Sequence, residues 1–277
     1  MSKIKRAIKW NELSTDIQNR FLMGGKAKFE DDFYDNYYDT VVDGNIGVKE
    51  NGAWGQAWVD KYWKNEFKAP FYSKEELNQL ADIYKTYAEI RVRDFKSNVD
   101  LKNVFDKYPI KGKDVVIFGS TTPKYEALCL AFGGKPTTIE YQKIVTDHPD
   151  LKTMTVEEYE KTSPQLQFDV GFSFSSHEHD GLGRYNDPIN PDGDLESLQK
   201  TRHIIKKDGI LFLAVPRGED KVVFNSYREY GVHRWPMLIE KWEELEVYSG
   251  PAGHGNYEPI SVLKNNDYEK PEVWWNK

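Results

Sequence analysis

From residue 110 onward, short apolar runs alternate with segments of helical character. The clearest runs cover residues 114–118, 168–174 and 209–215, and each is apolar enough for a strand that is buried on both faces. Residues 124–132 and 194–206 are predicted helices, each followed by a glycine that ends it. Strands that alternate with helices predict an α/β fold with a Rossmann-like, mostly parallel sheet and helices on both faces.

Weaker signals complete the predicted sheet. A helix is expected over residues 74–95, a short helix over residues 156–161, and further strands at 136–140, around Met154, at 245–248 and at 260–263. In such a sheet, ligands bind beyond the carboxyl ends of the strands, where the strand order reverses. This rule selects the loops after Phe118, Glu140 and Phe174.

The first 72 residues follow no persistent helical or strand period. They are rich in aromatic residues, and we predict an N-terminal extension over residues 1–72 followed by a Rossmann-like domain over residues 73–277. The extension is either an irregular segment packed on the domain or a lid over a binding cleft. The aromatic residues that would form such a lid are Tyr37, Tyr38, Trp54 and Trp58.

Composition excludes several classes of protein. The longest apolar run among the 277 residues has the length of a strand, whereas a membrane-spanning helix needs about 20 apolar residues, so we expect no membrane protein. A single cysteine, Cys129, excludes a disulfide framework, and we expect a cytoplasmic protein. The formal net charge of -7 disfavours nucleic acid as a partner, because nucleic acid phosphates are bound by clustered Lys and Arg.

The turn after the first strong strand has features of a ligand-binding loop. Gly119 ends the strand, Ser120 and Thr121 follow, and a helix begins shortly after, so that the helix N-terminus would point at a ligand. Glu140 follows about 20 residues later at the end of the next strand, where an acid can accept hydrogen bonds from ribose hydroxyls. Because the turn has only one glycine, it suits a ligand without a phosphate at this point. The alternative is an ordinary strand-to-helix turn.

The loop after the fourth predicted strand is dense in titratable groups. His177, His179 and Asp180 lie within four residues, and in an extended segment the two histidines would point to the same side. A histidine that titrates near neutral pH can act as a general base. The alternatives are a metal site, completed by Asp180, His233 or His254, and a loop with a purely structural role.

Polar side chains on two loops are candidate substrate contacts. Arg184 and Tyr185 lie shortly after the histidines, and a second set follows the strand at residues 209–215. Both loops leave the predicted sheet at its carboxyl end, where a polar or anionic substrate would bind. The alternative for the second loop is a surface helix whose Arg and Glu side chains pair with one another. The second set consists of Arg217, Asn225, Arg228 and His233.

Two of these stretches resemble a known family. They are residues 179–188, with the sequence HDGLGRYNDP, and residues 225–234, with the sequence NSYREYGVHR. They look like the family catalogued as Caenorhabditis proteins of unknown function, and the resemblance extends over about residues 105–265. That family is similar in outline to class I S-adenosylmethionine (SAM)-dependent methyltransferases.

The resemblance implies SAM as the cofactor. In class I methyltransferases, the glycine turn after the first strand approaches the methionine part of SAM, and an acid after the second strand binds the ribose hydroxyls. These positions match Gly119 to Thr121 and Glu140. The loop after the fourth strand lies beside the sulfonium and often supplies the acid or base, and the matching residues are Ser175 to Asp180. The sequence lacks the usual Gly-x-Gly after the first strand.

The leading hypothesis is a SAM-dependent methyltransferase that acts on a small polar acceptor such as a sugar, a glycan or a metabolite hydroxyl. The protein would align the acceptor for an in-line displacement, and His177 or His179 would take the proton. The alternatives are a metal-assisted hydrolase or lyase on the same fold and a non-catalytic SAM-binding module.

Overall fold

The computed structural model describes residues 13–22, 69–86, 101–162, 164–185, 187–218, 220–223, 227–248 and 258–266. The chain divides into two compact units, which we describe separately. The sheet unit comprises Ala69–Phe174, Leu198–Ala214 and Ile239–Lys277, and the loop unit comprises Met1–Lys68, Ser175–Ser197 and Val215–Leu238. The predicted domain boundary after residue 72 stays a prediction. The predicted lid residues lie outside the described residues: Tyr37, Tyr38, Trp54 and Trp58.

The sheet unit contains a seven-stranded sheet with five neighbouring parallel strands. The strands of both units, in chain order, are β1 (Phe71–Tyr72), β2 (Asp114–Phe118), β3 (Lys135–Glu140), β4 (Val145–Thr146), β5 (Lys152–Thr155), β6 (Phe168–Phe174), β7 (Ile205–Ala214), β8 (Lys221–Val223), β9 (Tyr227–Glu229), β10 (Glu243–Tyr248) and β11 (Ile260–Lys264). The large sheet has the order β10-β11-β7-β6-β2-β3-β5, and β1 pairs with β4 in a small parallel sheet.

The strand order identifies the fold. Strands β2, β3, β5, β6 and β7 are parallel to their neighbours, and β11 is antiparallel to both β7 and β10. Numbered by their place in the chain, the five parallel strands follow the order 3-2-1-4-5, as in a Rossmann sheet. The predicted α/β fold with a Rossmann-like, mostly parallel sheet is therefore confirmed.

The central strands are buried, as their continuous apolar runs predict. Ile117 of β2, Phe172 of β6 and Phe212 of β7 are 0% exposed. The ring of Phe105 lies 5.6 Å from that of Phe172 and 5.4 Å from that of Phe212, between ring centroids. Burial of each such side chain contributes about 1.5–3 kcal/mol, so this aromatic cluster is a main source of stability in the sheet unit.

Helices cover the sheet through apolar side chains that repeat at helical spacing. The helices, in chain order, are α1 (Thr15–Leu22), α2 (Lys74–Thr86), α3 (Leu101–Lys107), α4 (Lys124–Ala131), α5 (Val156–Glu160), α6 (Gly193–Ile204) and α7 (Arg234–Leu238). Leu101, Val104 and Phe105 of α3 join the large hydrophobic cluster with β2 and β6, while Leu77 and Ala81 of α2 pack with a second cluster. In the described part of the chain, no helix is both long and apolar enough to cross a membrane.

One predicted helix runs beyond the described residues, and one predicted strand begins earlier than expected. Helix α2 is described as far as Thr86, and the rest of its predicted range lies outside the described residues. Strand β7 begins at Ile205, although we predicted a helix as far as residue 206 and a strand from residue 209. Ile205 pairs with Phe168, and the backbone N–H of Asp208 donates to the carbonyl of Asn265 at 2.9 Å. Neighbours on both sides therefore extend the strand through polar sequence.

The described residues of the loop unit form turns and short elements, among them α1, α7 and the antiparallel pair of β8 and β9. The alternative of a surface helix in the loop after residue 215 is wrong for its described residues before α7, because they include strands β8 and β9 and no helix. His177–His179 form one turn of 3-10 helix rather than an extended segment. The two histidines therefore do not point to the same side, since side chains repeat every third residue in such a turn.

Candidate functional site

The turn after β2 carries the residues that we predicted for a cofactor. Gly119 has a φ of 70°, in the left-handed region that favours glycine, so the chain can turn sharply as it leaves the strand. Ser120 is buried, and its backbone N–H donates to Oε2 of Glu140 at 3.0 Å. Thr121 is exposed in the same turn. The structure thus joins the glycine turn to the acid at the end of β3.

Glu140 titrates near neutral pH. Burial raises the pKa of Glu140 to about 7, although the backbone N–H groups of Tyr141 and Ser120 favour the ionised form. The Tyr141 N–H donates to Oε1 at 2.7 Å. Each carboxylate oxygen can accept more than one hydrogen bond, so the ionised group can also accept bonds from the hydroxyls of a ligand.

A buried polar network lies beneath the turn, and the sequence analysis assigned no role to it. The hydroxyl groups of Tyr72 and Ser120 are 3.0 Å apart, and the Thr138 hydroxyl donates to Oε1 of Glu126 at 2.7 Å. Glu126 and Thr138 are 0% exposed, and burial raises the pKa of Glu126. Buried polar groups of this kind rigidify a structure when they are hydrogen-bonded. The contact with the Tyr72 hydroxyl therefore restrains the Ser120 side chain.

In the loop unit, an acid connects the histidine turn to the residue that follows β6. Ser175 has a φ of 52°, which is unusual for a residue with a side chain. Its hydroxyl donates to Oε1 of Glu178 at 2.5 Å, and the same oxygen lies 3.4 Å from Nε2 of His179. The Glu178 side chain is 0% exposed. Glu178 was not among the predicted site residues; its place between two histidines is visible in the sequence, but its burial is not.

The surroundings of His177 and Asp180 favour their uncharged forms. Burial lowers the pKa of His177 to about 4, although the charge of Asp194 opposes this shift. Burial also raises the pKa of Asp180 well above its usual range, against the effects of the Ser197 hydrogen bond and the Arg228 charge. At neutral pH, His177 is therefore a neutral imidazole.

Asp187 holds the turn that presents Arg184 and Tyr185. Its carboxylate accepts from the backbone N–H groups of Gly181, Gly183 and Tyr185, at 2.8, 3.1 and 3.1 Å. Arg184 and Tyr185 are half-buried, and the guanidinium carbon lies 5.6 Å from the centroid of the Tyr185 ring. The imidazole of His179 meets the same ring edge-on, with centroids 5.3 Å apart. The structure thus brings one predicted base next to two predicted substrate contacts.

Arg228 lies in a buried ionic cluster with Arg234 and Asp194. Its guanidinium donates to the carbonyl of Asp180 at 2.5 Å and to the carbonyl of Pro191 at 3.2 Å. Arg234 donates to both carboxylate oxygens of Asp194, at 2.9 and 2.5 Å. The side chains of Arg228 and Asp194 are 0% exposed and that of Arg234 is 2% exposed. Arg228 therefore stabilises the backbone that follows the histidine turn through hydrogen bonds to its carbonyl groups.

The remaining predicted substrate contacts lie on the second loop. The guanidinium carbon of Arg217 stacks 3.5 Å from the centroid of the Trp235 ring, a cation–π contact. The backbone N–H of His233 donates to Oδ2 of Asp220 at 2.9 Å, which fixes the start of α7. Asn225 lies outside the described residues.

The metal alternative needed three or four ligands close together. Among the residues that the structure describes, no group of three or more His, Cys, Asp and Glu side chains is arranged to hold a metal ion. His254, one of the ligands considered, falls in the undescribed segment before β11.

Comparison with known proteins identifies the family. The fold defines a Rossmann-like α/β protein. Residues 112–269, more than half of the chain, match the family described as Caenorhabditis protein of unknown function, DUF268, and the chain belongs to this family, as predicted. No curated protein matches the sequence.

Solved structures with a similar fold include methyltransferases. One is the Burkholderia thailandensis 1,6-didemethyltoxoflavin-N1-methyltransferase with bound 1,6-didemethyltoxoflavin and S-adenosylhomocysteine, at 13% identity and a TM-score of 0.49, covering 73% of this chain and 94% of that one. Another is a TehB-like SAM-dependent methyltransferase from Corynebacterium glutamicum, at 13% identity and a TM-score of 0.42, covering 58% of this chain and 84% of that one.

Proposed function

We propose that the protein is a SAM-dependent methyltransferase that acts on a small polar acceptor. The observation that carries the proposal is the hydrogen bond between the Ser120 N–H and the Glu140 carboxylate, at the carboxyl ends of β2 and β3. This hydrogen bond joins a sharp glycine turn to an acid that can accept bonds from ribose hydroxyls. The turn lacks the further glycines that a pyrophosphate needs, which suits a cofactor without a phosphate there.

Four groups in the sheet unit would hold the cofactor, which supplies an electrophilic methyl group when bound. Glu140 would accept hydrogen bonds from the ribose hydroxyls in its ionised form. Gly119 would allow close approach of the backbone, and Ser120 and Thr121 would offer polar contacts at the start of the turn before α4. Ser175, the first residue of the loop unit after β6, is a further proposed contact.

His179 is the better candidate for the general base. His177 is 2% exposed and its pKa is lowered to about 4 by burial, so its imidazole accepts a proton poorly at neutral pH. Burial also raises the pKa of Asp180, which favours the protonated form of this carboxyl. The His179 side chain is 13% exposed and lies beside an oxygen of Glu178 and the ring of Tyr185. We therefore propose that His179 removes the proton from the acceptor hydroxyl.

The acceptor would contact the half-exposed residues of the same loop. Tyr185 offers an aromatic face on which a sugar or a metabolite ring can pack, and Arg184 offers hydrogen-bond donors to a polar or anionic group. Arg217, Asn225 and His233 remain proposed contacts. We assign Arg228 instead to the support of the loop, because its donors already bind carbonyl groups of the protein.

Calorimetry with SAM and with its demethylated product, S-adenosylhomocysteine (SAH), tests the proposal. We expect binding with a Kd below about 100 μM, which corresponds to about 5.5 kcal/mol. Replacement of Glu140 by Gln should weaken SAH binding about 10-fold or more, since hydrogen bonds to a charged group contribute about 1.5–3 kcal/mol.

Glu157→Gln is the matched control, because the Glu157 side chain is 77% exposed on α5 and lies in the same unit. It should bind SAH as the wild type does. Absence of binding of either ligand at millimolar concentration, or unchanged affinity in Glu140→Gln, would refute the assignment of the cofactor site.

A further inference from the structure

The buried acid of the histidine turn has a role in the proposed reaction. We infer that Glu178 is a positioning residue, which accepts the Nε2–H of His179 and so makes Nδ1 the atom that takes the acceptor proton. The inference rests on the proposed function, because His179 is the base of the proposed methyl transfer. The contact itself exists in the protein without any ligand.

The backbone places Glu178 for this contact. Ser175 lies just before the 3-10 turn of His177–His179 that contains Glu178. The left-handed φ of 52° at Ser175 costs conformational energy, and such strain persists only where the surroundings enforce it. Its result is that the Ser175 hydroxyl donates to Oε1 of Glu178 and holds this oxygen towards His179.

The Glu178 carboxyl lies close to the buried ionic cluster. Arg228 and Arg234 are the buried guanidinium groups of this cluster, and both act on the carboxylate of Asp194. Burial raises the pKa of Tyr230, and the charge of Glu178 adds to this shift, so Glu178 lies near the Tyr230 hydroxyl that donates to Asp194. Oε1 of Glu178 accepts from the Ser175 hydroxyl, so it meets His179 as an acceptor.

The chemistry of imidazole then fixes the base nitrogen. A neutral imidazole has one N–H donor and one nitrogen with a lone pair, and an ionised carboxylate can only accept. The proton therefore lies on Nε2, and Nδ1 carries the lone pair. When the acceptor O–H bond breaks, the proton binds Nδ1 and the electron pair stays on the acceptor oxygen. The imidazolium that forms is stabilised by the carboxylate, as in other carboxylate–histidine pairs.

The distance of 3.4 Å is longer than an ideal hydrogen bond. Catalytic hydrogen bonds are often long in the ligand-free protein and shorten when the reacting complex forms. The shared oxygen offers a further reason, since the Ser175 hydroxyl already binds it at 2.5 Å. The contact therefore orients the ring before the acceptor arrives.

Nuclear magnetic resonance of the full-length protein with isotope-labelled histidine tests the inference. The chain has six histidines, and a His179→Gln variant assigns the ring signals of His179. In the wild type at neutral pH we expect an Nε2–H signal of His179 that is protected from exchange with water. Glu178→Gln should keep this signal, because the amide oxygen still accepts. Glu178→Leu should lose it, because no acceptor remains.

Glu157→Leu, on the exposed face of α5, is the control for a glutamate-to-leucine change, and it should leave the His179 signal intact. A proton on Nδ1 of His179 in the wild type overturns the inference, and this result needs no variant to fold. Retention of the protected signal in a folded Glu178→Leu protein overturns it as well, since a merely structural Glu178 would give that outcome. These spectra need no cofactor, so their result is independent of the calorimetry that tests the proposed function.

Discussion

Replacement of Asp194 by Asn should destabilise the protein strongly. Asp194 is 0% exposed, and its carboxylate accepts from Arg234 at 2.9 and 2.5 Å and from the Tyr230 hydroxyl at 3.0 Å. Nε of Arg228 lies 3.5 Å from the same carboxylate. The Asn side chain has nearly the same shape, but it leaves two buried guanidinium groups without a counter-charge and directs an N–H group towards one of them.

The expected loss follows from the cost of breaking a buried ion pair. Removal of one partner of such a pair typically costs about 3–5 kcal/mol, because an uncompensated charge stays buried. With a urea dependence of about 2 kcal/mol per molar, the unfolding midpoint should fall by about 2 M. Urea unfolding followed by far-UV circular dichroism and tryptophan fluorescence measures this shift.

The stability difference between wild type and Asp194→Asn should also depend on pH. Although burial alone would raise the pKa of Asp194, the charges of Arg228 and Arg234 and the hydrogen bonds from Arg234 and Tyr230 lower it. A carboxyl with a depressed pKa stabilises the folded state fully above the unfolded pKa of about 3.9. The difference between wild type and Asp194→Asn should therefore be constant above about pH 5 and shrink below about pH 4, as the folded-state carboxyl becomes protonated.

Asp169→Asn is the matched control, because Asp169 is one-third exposed and its pair with Lys206, at 2.7 Å, is open to solvent. Exposed ion pairs contribute about 0.2–1 kcal/mol, so this variant should stay close to the wild type. A loss in Asp194→Asn no larger than in the control, or a difference that grows below about pH 4, would show that the buried cluster does not stabilise the fold as argued.

Three further predictions concern the turns and the proposed site. SAH should bind about 30-fold more weakly at about pH 5.5 than at about pH 8, measured by calorimetry, because the pKa of Glu140 is about 7 and protonation removes a charged acceptor. Gly181→Ala should lower the free energy of unfolding by about 2 kcal/mol or more in urea, since φ is 80° and the added Cβ would lie 2.1 Å from the Asn190 carbonyl oxygen. Gly112→Ala, with φ at 77° and open space around it, should cost less. His179→Gln should reduce methyl transfer from labelled SAM to a panel of small polar acceptors by at least about 100-fold and leave SAH affinity unchanged, a pattern that unaltered transfer would contradict.

The fold could be predicted because the buried strands of the sheet correspond to recognisable apolar runs in the sequence. A strand buried on both faces needs a continuous apolar run, and the runs at 114–118 and 168–174 coincide with β2 and β6. Strand β7 shows where this correspondence fails. Its first residues are polar, and they join the sheet only because Phe168 and Asn265, distant in sequence, supply backbone partners.

The candidate site was predictable only where it depends on local spacing. Gly119 and Glu140 end neighbouring parallel strands, so their proximity follows from the order of the elements. Arg228 illustrates the limit. A sequence does not distinguish an arginine that faces a ligand from one that braces a loop, because the carbonyl groups that bind Arg228 lie 37 to 48 residues away along the chain. Glu178 was not predicted, because its proposed role depends on its burial and on its contact with Ser175, and the sequence shows neither.

The two ligands of the proposed site differ in charge at sulfur, and this difference separates two roles of Glu140. Burial raises the pKa of Glu140 to about 7, so acidification from neutral pH removes the charge of this carboxylate. If the ionised Glu140 binds ribose hydroxyls, SAM and SAH should lose affinity equally on acidification, because both contain the ribose. If it acts on the positive sulfonium instead, only SAM should lose affinity, because SAH lacks that charge. Equal losses of affinity for SAM and SAH would therefore show that Glu140 binds the ribose. A loss of affinity for SAM alone would show that Glu140 acts on the methyl-bearing sulfonium.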